Sequence, residues 1–598
     1  MAHQVLTVDV LVVGGGTGGT AAAIQSARCG VKTALVSEFP WLGGMLTSAG
    51  VSVPDGNELN ALQTGLWGAF LREVQQRQPG GLDWSWVSFF SFDPRLGAEI
   101  FAEWVAALPN LHWICGQVPQ EVKRKGDRIL GVRFEDWLIN AQITLDATEL
   151  GDVLALAEIP HRWGWEYQSE FNEPSAPTGP TTLTQRYPVQ VPTWVFLLQD
   201  YGEGNCAPEI PPSAMDRAEH FIGAWDNYGP ERFLSYGRLP DGRMMINWPI
   251  RGNDYGEGVG RLVAGQGEAQ QFRQEAYWHS LSFAQWIQQH LGRRYGLAEH
   301  SFPHSPLKSP VKPIHSGFAL HPYYRESRRL QGLGTVTENE ILPLTGGRVA
   351  ALPTNERGEI SAIAIGNYAN DHHYPSGDYP LAPKSIRWGG RWTGTPFAIP
   401  YEALIPQAMD GLLACEKNIS VSHIANGATR LQPVVLNTGQ AAGMAAALCV
   451  RQGCQPRELS VRVLQEALLT DAIAPAAIIP LYNLPPNHPR WLDWQRSYLN
   501  SPEQYPPDGN CPDWDLPAPH SSQSYSGLFQ RHDAQTYTVC LDASAETWKL
   551  VTLDAQVDRQ LQAYGDRQPI HLWGRFNSAG NWLLVEKIGD RHLDKITI

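Results

Sequence analysis

The 598-residue chain has only eight cysteines, and none of them form a C-x-x-C pair. Zinc-ribbon and iron–sulfur spacings are therefore absent, and so sparse a set argues for a reducing compartment. Charged residues make up only 18%, and acids outnumber bases to leave a net charge of −14. Such a balance gives no footprint for a phosphate backbone and argues against a nucleic-acid partner. No run of about 20 apolar residues reads as a membrane span. The first strand begins without a basic, apolar leader. The expectation is a cytoplasmic protein with no membrane span. Hydrophobic residues make up an ordinary 43%, enough for a sizeable core in about two to four domains. Tryptophan is the exception, with 22 copies. Core packing explains most tryptophans; the others are expected around a pocket.

Val8-Asp9-Val10-Leu11-Val12-Val13 is an apolar, β-branched run. It feeds Gly14-Gly15-Gly16-Thr17-Gly18-Gly19 and then Thr20-Ala21-Ala22-Ala23-Ile24, which reads as a helix. A second apolar run, Lys32 to Ser37, ends at Glu38. Strand, glycine turn, helix, strand and acid follow in the order of a dinucleotide site. Gly14 makes the turn, Gly16 lets a pyrophosphate approach the backbone, and Gly19 lets the helix pack on the strand. The helix start at Thr17 and Gly18 offers free N–H groups and a partial positive charge. Glu38 can accept from a ribose hydroxyl. Trp41-Leu42-Gly43-Gly44-Met45-Leu46-Thr47 follows. NAD sites do not generally need a second glycine pair, so Gly43 and Gly44 tilt the ligand toward FAD.

Residues 60–107 look helical, with an aromatic interruption at 84–92 and a helix start at Asp93-Pro94. Leu111 to Phe134 alternates and reads as a crossover β-meander. Ile143 to Asp152 reads as a strand ending in Asp-Ala-Thr-Glu-Leu-Gly-Asp. Residues 158–320 carry more Trp, Tyr, Pro and charge, with a strand near 193–200 and a long helix near 265–292. Tyr323 to Leu330 is a basic cluster whose bland reading is a solvated, ion-paired surface. His372 and His373 follow a strand; adjacent histidines point to opposite sides of an extended chain, so pocket lining is favoured over a metal site. Ser420 through Ala447 ends in a helix of small residues, its N-terminus placed near Thr438-Gly439. Residues 473–525 read as a Pro-rich wrap or linker. From 526, strands near 536–541, 548–553, 570–576 and 582–588 outline a small β module of barrel type.

Together these motifs resemble the FAD-dependent oxidoreductases of the glutathione-reductase-like, two-dinucleotide-binding-domain flavoproteins, over roughly residues 5–470. The matching stretches are Gly14–Gly19 with Glu38, Trp41–Thr47, Asp146–Asp152, Arg325–Arg329, Ile365–Pro375 and Ser420–Ala447. That superfamily's Asp-Ala-Thr-Gly reads Asp-Ala-Thr-Glu here, with Glu149 at the departure. The resemblance implies an α/β fold: a Rossmann-like FAD-binding domain from 1–157 and 321–472, with a parallel sheet and crossover meander. It implies an inserted α+β substrate domain at 158–320, a linker at 473–525, and an all-β module at 526–598. It also implies non-covalent FAD. Gly14, Gly16, Thr17, Gly18 and Gly19 would hold the pyrophosphate, Glu38 the ribose, and Val118 the adenine. Gly43, Gly44 and Met45 would follow the ribityl chain. Ala147, Thr148 and Asp152 would complete the site with Asn426, Arg430 and Gly439, the Gly439 helix facing the flavin.

The expected activity is oxidation of a small or medium organic substrate by hydride transfer to the flavin, with reoxidation by O₂ or another acceptor. His423, His372 and His373 are the candidate bases, and Arg328 heads the arginines that could bind an anionic group. An NAD(P)H-dependent reductase or a monooxygenase is the rival enzyme, although the GxG at Gly265 lacks a preceding strand. A flavoprotein scaffold is the non-enzyme alternative. No metal ligand set is expected. Substrate and oligomeric state are not readable.

Overall fold

The computed structural model describes residues 4–303, 315–375, 377–512 and 523–589. Strand β1 (Gln4–Val13) lies at the middle of a seven-stranded sheet, and its last four residues are fully covered. Helix α1 (Thr17–Arg28) returns the chain to β2 (Thr33–Ser37). Helices α2 (Gly65–Arg77) and α3 (Pro94–Ala106) lead to β3 (Leu111–Cys115), and Asp93 caps α3 by accepting from the Arg95 N–H. A hairpin of β4 (Glu121–Lys125) and β5 (Arg128–Arg133) precedes β6 (Trp137–Asp146). The order is β3-β2-β1-β6-β5-β4. β3, β2, β1 and β6 run parallel, whereas β4, β5 and β6 pair antiparallel. The strand Leu412–Ala414 also pairs parallel with the C-terminal half of β6, so Ala414 ends beside Asp146. Cys415 to Asn418 thereby arrives at the Gly-rich turn from the far side of the sequence.

A stripe of small residues sets how closely α1 meets the helix Gln432–Gln452. A Cβ on Gly439 would lie 2.1 Å from the Gly18 carbonyl oxygen, and one on Gly443 would lie 2.3 Å from that of Ala22. This helix begins six residues earlier than the sequence suggested, with Leu431 as N-cap and Pro433 in its first turn. Gly439 therefore stands two turns inside, at the helix crossing, and is no helix N-terminus. By length and composition it is the one described helix that could cross a membrane, but 89% of its most apolar window is buried inside the protein. It is a core helix.

A second apolar core is built mainly from residues 189–324. The strands Tyr295–Leu297, Phe196–Asp200 and Arg243–Ile246 form an antiparallel sheet in that order, under the helix Gln266–Leu291. Trp194 and Trp248 are fully buried there; Trp248 packs within the core, whereas Trp194 also reaches the wall of the cavity at the Gly-rich turn. Met45, Ala49, Val51 and Val53 belong to this second core, not to the first. The loop after β2 is thus clamped between the two cores, and that position makes it the floor of the site.

The structure corrects three local readings. Arg325 and Arg329 are buried, not solvated, and sit among carboxylates. The 473–525 segment is no loose linker: Ile478, Ile479, Leu481 and Tyr482 are buried in the main core and a helix spans Trp491–Asn500. Residues 513–522 of that segment lie outside the described residues. The C-terminal module begins at Ser524 and closes as a barrel of Ser524–Asp533, Thr536–Leu541, Thr547–Val551, Trp582–Gly589 and Pro569–Asn577 in that order. Its sequence pattern did not reveal the helix Ala555–Ala563 between its third and fourth strands. The barrel is anchored to the body by Asn577 and Trp582, which donate to Asp83, and by Arg387, which donates to the Gln535 carbonyl.

Candidate functional site

The Gly-rich turn opens into a cavity of about 960 Å³, counting the part of it that is open to solvent. Gly14, Gly15, Gly16, Glu38, Gly44, Val118, Ala147, Thr148 and Asp152 line it, with Arg273 and Tyr324 from the second core's side. A Cβ on Gly14 would meet the Ala147 carbonyl at 2.1 Å, and Gly14 holds φ +112°, so only glycine closes this turn. Asp146, at the end of β6, fixes the opposite wall. Its carboxylate accepts from the Thr148 N–H and hydroxyl and from the Leu154 N–H. Glu38 faces the cavity and makes no hydrogen bond among the described residues. Burial raises its carboxyl to about 7, although Arg273 draws it back down. A bare glycine backbone at one end, an unpartnered carboxyl in the middle and the Val118 segment beyond it fit an extended dinucleotide. Gly14 to Gly16 would meet the pyrophosphate, Glu38 the ribose, and Gln117 to Pro119 the adenine end.

Other residues expected at the cofactor have different tasks. Gly18 lies against the Cys415 carbonyl and Gly19 against that of Gly14, so both serve close packing. The Thr17 hydroxyl donates to the Gly43 carbonyl, which ties the second glycine pair to the start of α1. Met45 is fully buried in the second core. Asn426 is also buried and donates to the Arg325 carbonyl. Gly439 is at the helix crossing described above.

Glu149 finds its explanation in Lys417, which the sequence did not single out. The Lys417 ammonium pairs with Glu149 at 2.7 Å and with Glu416 at 3.1 Å. Glu416 in turn accepts from the Gly18 N–H at 2.7 Å. Burial raises the Glu416 carboxyl to about 7 against the pull of Lys417. A side-chain carboxylate therefore already occupies one N–H of the helix start, and the buried ammonium beside it balances the charge.

A second cavity of about 1690 Å³, counting the part of it that is open to solvent, lies on the other side of the loop after β2. Ser48 of that loop borders the first cavity, and Val51, Val53 and Asp55 border the second. The second cavity is strongly polar. His373 donates to Asp254 at 2.8 Å and to Asp371 at 2.9 Å. Arg325 reaches Asp254 at 3.1 Å, and Arg430 reaches Asp371 at 3.4 Å and the Tyr323 hydroxyl at 2.7 Å. Burial alone would raise the Asp254 carboxyl, but Arg325 and His373 outweigh it and bring it down to about 2. The same balance, led by His373, holds Asp371 well below the usual carboxylate range. Arg430 thus lines the second cavity and not the first. Tyr236, Tyr368 and Asp55 face the same space. Sequence reasoning missed all three, since a lone Asp or Tyr in a loop carries no spacing signal.

The expected catalytic residues divide. His423 is fully buried and lines neither cavity. Its Nδ1 faces Glu326 at 2.9 Å and its Nε2 faces the Tyr374 hydroxyl at 2.6 Å, so both nitrogens are committed. His372 lines the second cavity, but its Nε2–H donates to the Ile424 carbonyl. Its Nδ1 then accepts from Tyr374, an arrangement that requires the neutral ring. Burial lowers it to about 3, and His423 adds to the effect. Arg328 donates to the Leu150 carbonyl and to Asp152, beside the first cavity and away from the second. Of the four, only His372 and His373 reach the second cavity. Among the described residues no His, Cys, Asp and Glu group has a metal-holding arrangement.

A family profile for FAD dependent oxidoreductases matches residues 9–468. No curated protein matches. Among solved structures, GidA of Aquifex aeolicus is 21% identical over 23% of this chain, with a TM-score of 0.16. This chain spans only 25% of that protein's length. A geranylgeranyl bacteriochlorophyll reductase-like protein of Thermoplasma acidophilum is 9% identical over 78% of this chain and 84% of its own, with a TM-score of 0.32. PqsL of P. aeruginosa, solved with 2-aminobenzoylacetate, is 11% identical over 81% of this chain and 99% of its own, with a TM-score of 0.29. At these values the likenesses bear on neither activity nor substrate. The profile covers both halves of the seven-stranded sheet and every wall of the first cavity, and the chain belongs to the FAD dependent oxidoreductase family, with FAD as its cofactor.

Proposed function

We propose that the protein oxidises a small or medium organic substrate held in the second cavity. The supporting observation is the shared loop: residues 48–55 border both the FAD cavity and the large polar cavity, so a substrate there lies one loop away from the cofactor. FAD supplies the hydride acceptor when bound, with O₂ or another acceptor to reoxidise it. The chain supplies position and charge. The Asp254–His373–Asp371 clamp, braced by Arg325 and Arg430, holds the polar wall rigid. Buried side chains of the second core hold the loop floor. A group with a free proton-accepting atom must complete the site if an alcohol or amine is oxidised. His423 has none, because both of its nitrogens are engaged inside the core.

The test is anaerobic. The purified holoprotein is mixed with panels of alcohols, amines and hydroxy acids, and with NADH and NADPH, and flavin absorbance is followed. Bleaching by an organic substrate supports the proposal. Bleaching by NAD(P)H alone would favour a reductase. A protein that takes up FAD but is bleached by no candidate would favour a binding or scaffold role.

A further inference from the structure

FAD brings a dianionic pyrophosphate into the first cavity, where most of the nearby positive charge is already committed. The Lys417 ammonium is shared between Glu149 and Glu416. Glu416 also accepts from the Gly18 N–H, so one donor of the helix start serves this chain's own carboxylate. Arg328 pairs with Asp152 at 3.0 Å. Neither Lys417 nor Arg328 lines the cavity. The lining carries the carboxylates of Glu38, Glu149 and Asp152 and, among the described residues, the guanidinium of Arg273 alone. His321 lines it as well, but its Nδ1 faces the Pro322 carbonyl at 2.9 Å and its Nε2 faces the Ser48 hydroxyl at 3.0 Å.

Arg273 stands on the helix Gln266–Leu291, far in sequence from every residue expected at the cofactor. Phe272, Ala276 and Tyr277 of that helix are buried in the second core, which fixes where the Arg273 side chain emerges. Its Nε–H donates to the Tyr324 hydroxyl at 3.0 Å. Among the described residues it forms no ion pair, and Glu38 and Asp152 act on it only through space. Both terminal nitrogens of the guanidinium are therefore uncommitted. They form a planar fork whose paired donors match a phosphate, and such charge-assisted bonds are about twice as strong as neutral ones. Tyr324 lines the same cavity. Its hydroxyl accepts from Arg273 and keeps its own O–H to donate.

We propose that Arg273 binds the pyrophosphate of FAD from the second core's side of the cavity, with the Tyr324 hydroxyl as a second donor. This goes beyond the oxidation proposed above and holds whatever the substrate is. The test titrates FAD into flavin-free, full-length protein at low and at high KCl, following flavin fluorescence. Wild-type affinity falls as KCl rises. Arg273→Met weakens FAD binding tenfold or more, flattens that salt dependence, and leaves the melting temperature of the flavin-free protein unchanged. Arg273→Lys keeps the charge and retains more of both the affinity and the salt dependence. ADP, which carries the pyrophosphate without the flavin, displaces FAD tenfold or more weakly once Arg273 is lost. In a Glu38→Gln background the Arg273→Met loss persists, because the contact is to the phosphate and not to Glu38. Wild-type FAD affinity in Arg273→Met overturns the proposal. So does a loss that keeps the wild-type salt dependence, or one that vanishes in the Glu38→Gln background. Should Arg273→Met fold poorly, Arg273→Lys set against Arg273→Gln gives the same reading.

Discussion

Replacing Gly16 by alanine separates cofactor binding from folding. Gly16 holds φ −64° and ψ −174°, a conformation open to any residue. The added Cβ would come within 2.8 Å of Glu416 Oε2 and 3.2 Å of Glu149 Oε1. Both are the far ends of flexible side chains, which can turn aside. The backbone contact, to the Ala147 carbonyl, is an ordinary 3.4 Å. The fold is expected to survive. The methyl group, however, projects into the space where the pyrophosphate approaches the chain. Displacing one charge-assisted N–H bond costs about 1.5–3 kcal/mol, so the FAD dissociation constant rises about 10- to 150-fold. Gly19→Ala is the contrasting variant. Its Cβ would lie 2.1 Å from the Gly14 carbonyl and 2.6 Å from the Ala147 Cβ, where nothing can yield cheaply. Flavin fluorescence during titration of apoprotein measures affinity, and circular dichroism with thermal melting measures the fold. Wild-type FAD affinity in Gly16→Ala would refute the assignment of the cavity. So would unfolding of Gly16→Ala to the extent seen in Gly19→Ala.

Other outcomes follow from the same contacts. Arg329→Met strands the Glu166 and Glu326 carboxylates in the interior, and about 3–5 kcal/mol of stability is lost; an unchanged urea midpoint would contradict the buried cluster. Asp254 contributes about 2 kcal/mol through its lowered carboxyl, present in full above about pH 4 and lost as the pH falls toward 2. Asp254→Asn should therefore flatten the acid side of the stability profile, and a wild-type slope would count against the clamp. Gly439→Val forces a branched side chain onto the Gly18 backbone, so insoluble or FAD-free protein is expected; soluble protein with normal flavin content would mean that the two helices do not cross there.

The sequence carried the first cavity well because its parts are local. Val10 to Val13, Gly14 and Glu38 act within one strand–turn–helix–strand unit, and each has a residue type its task demands. The start of the helix Gln432–Gln452 was misplaced because Gly439 looks like a helix boundary. Its bareness instead answers Gly18, over 400 positions away, and helix crossings leave no mark in a single sequence. His423 stood out by type, but only its burial beside Glu326 and Tyr374 shows that neither nitrogen is free. The buried charges of Tyr323–Leu330 were illegible for the opposite reason. Arg325 and Arg329 find their carboxylates at Asp254 and Glu166, and charge density alone reads as surface. The second cavity is assembled from seven separate segments, none of which has a periodic pattern.

The anchorage of the C-terminal barrel also has a consequence for synthesis. Trp582 donates to Asp83 across 499 positions of chain, and Phe89 packs against the same indole. At about 5–20 residues per second a ribosome needs about 25–100 s to cover that separation. During that interval the Asp83–Phe89 surface has been made and its cover has not. The nascent chain thus carries an open aromatic and acidic patch through most of its own translation, and completion of the last strands ends that exposure.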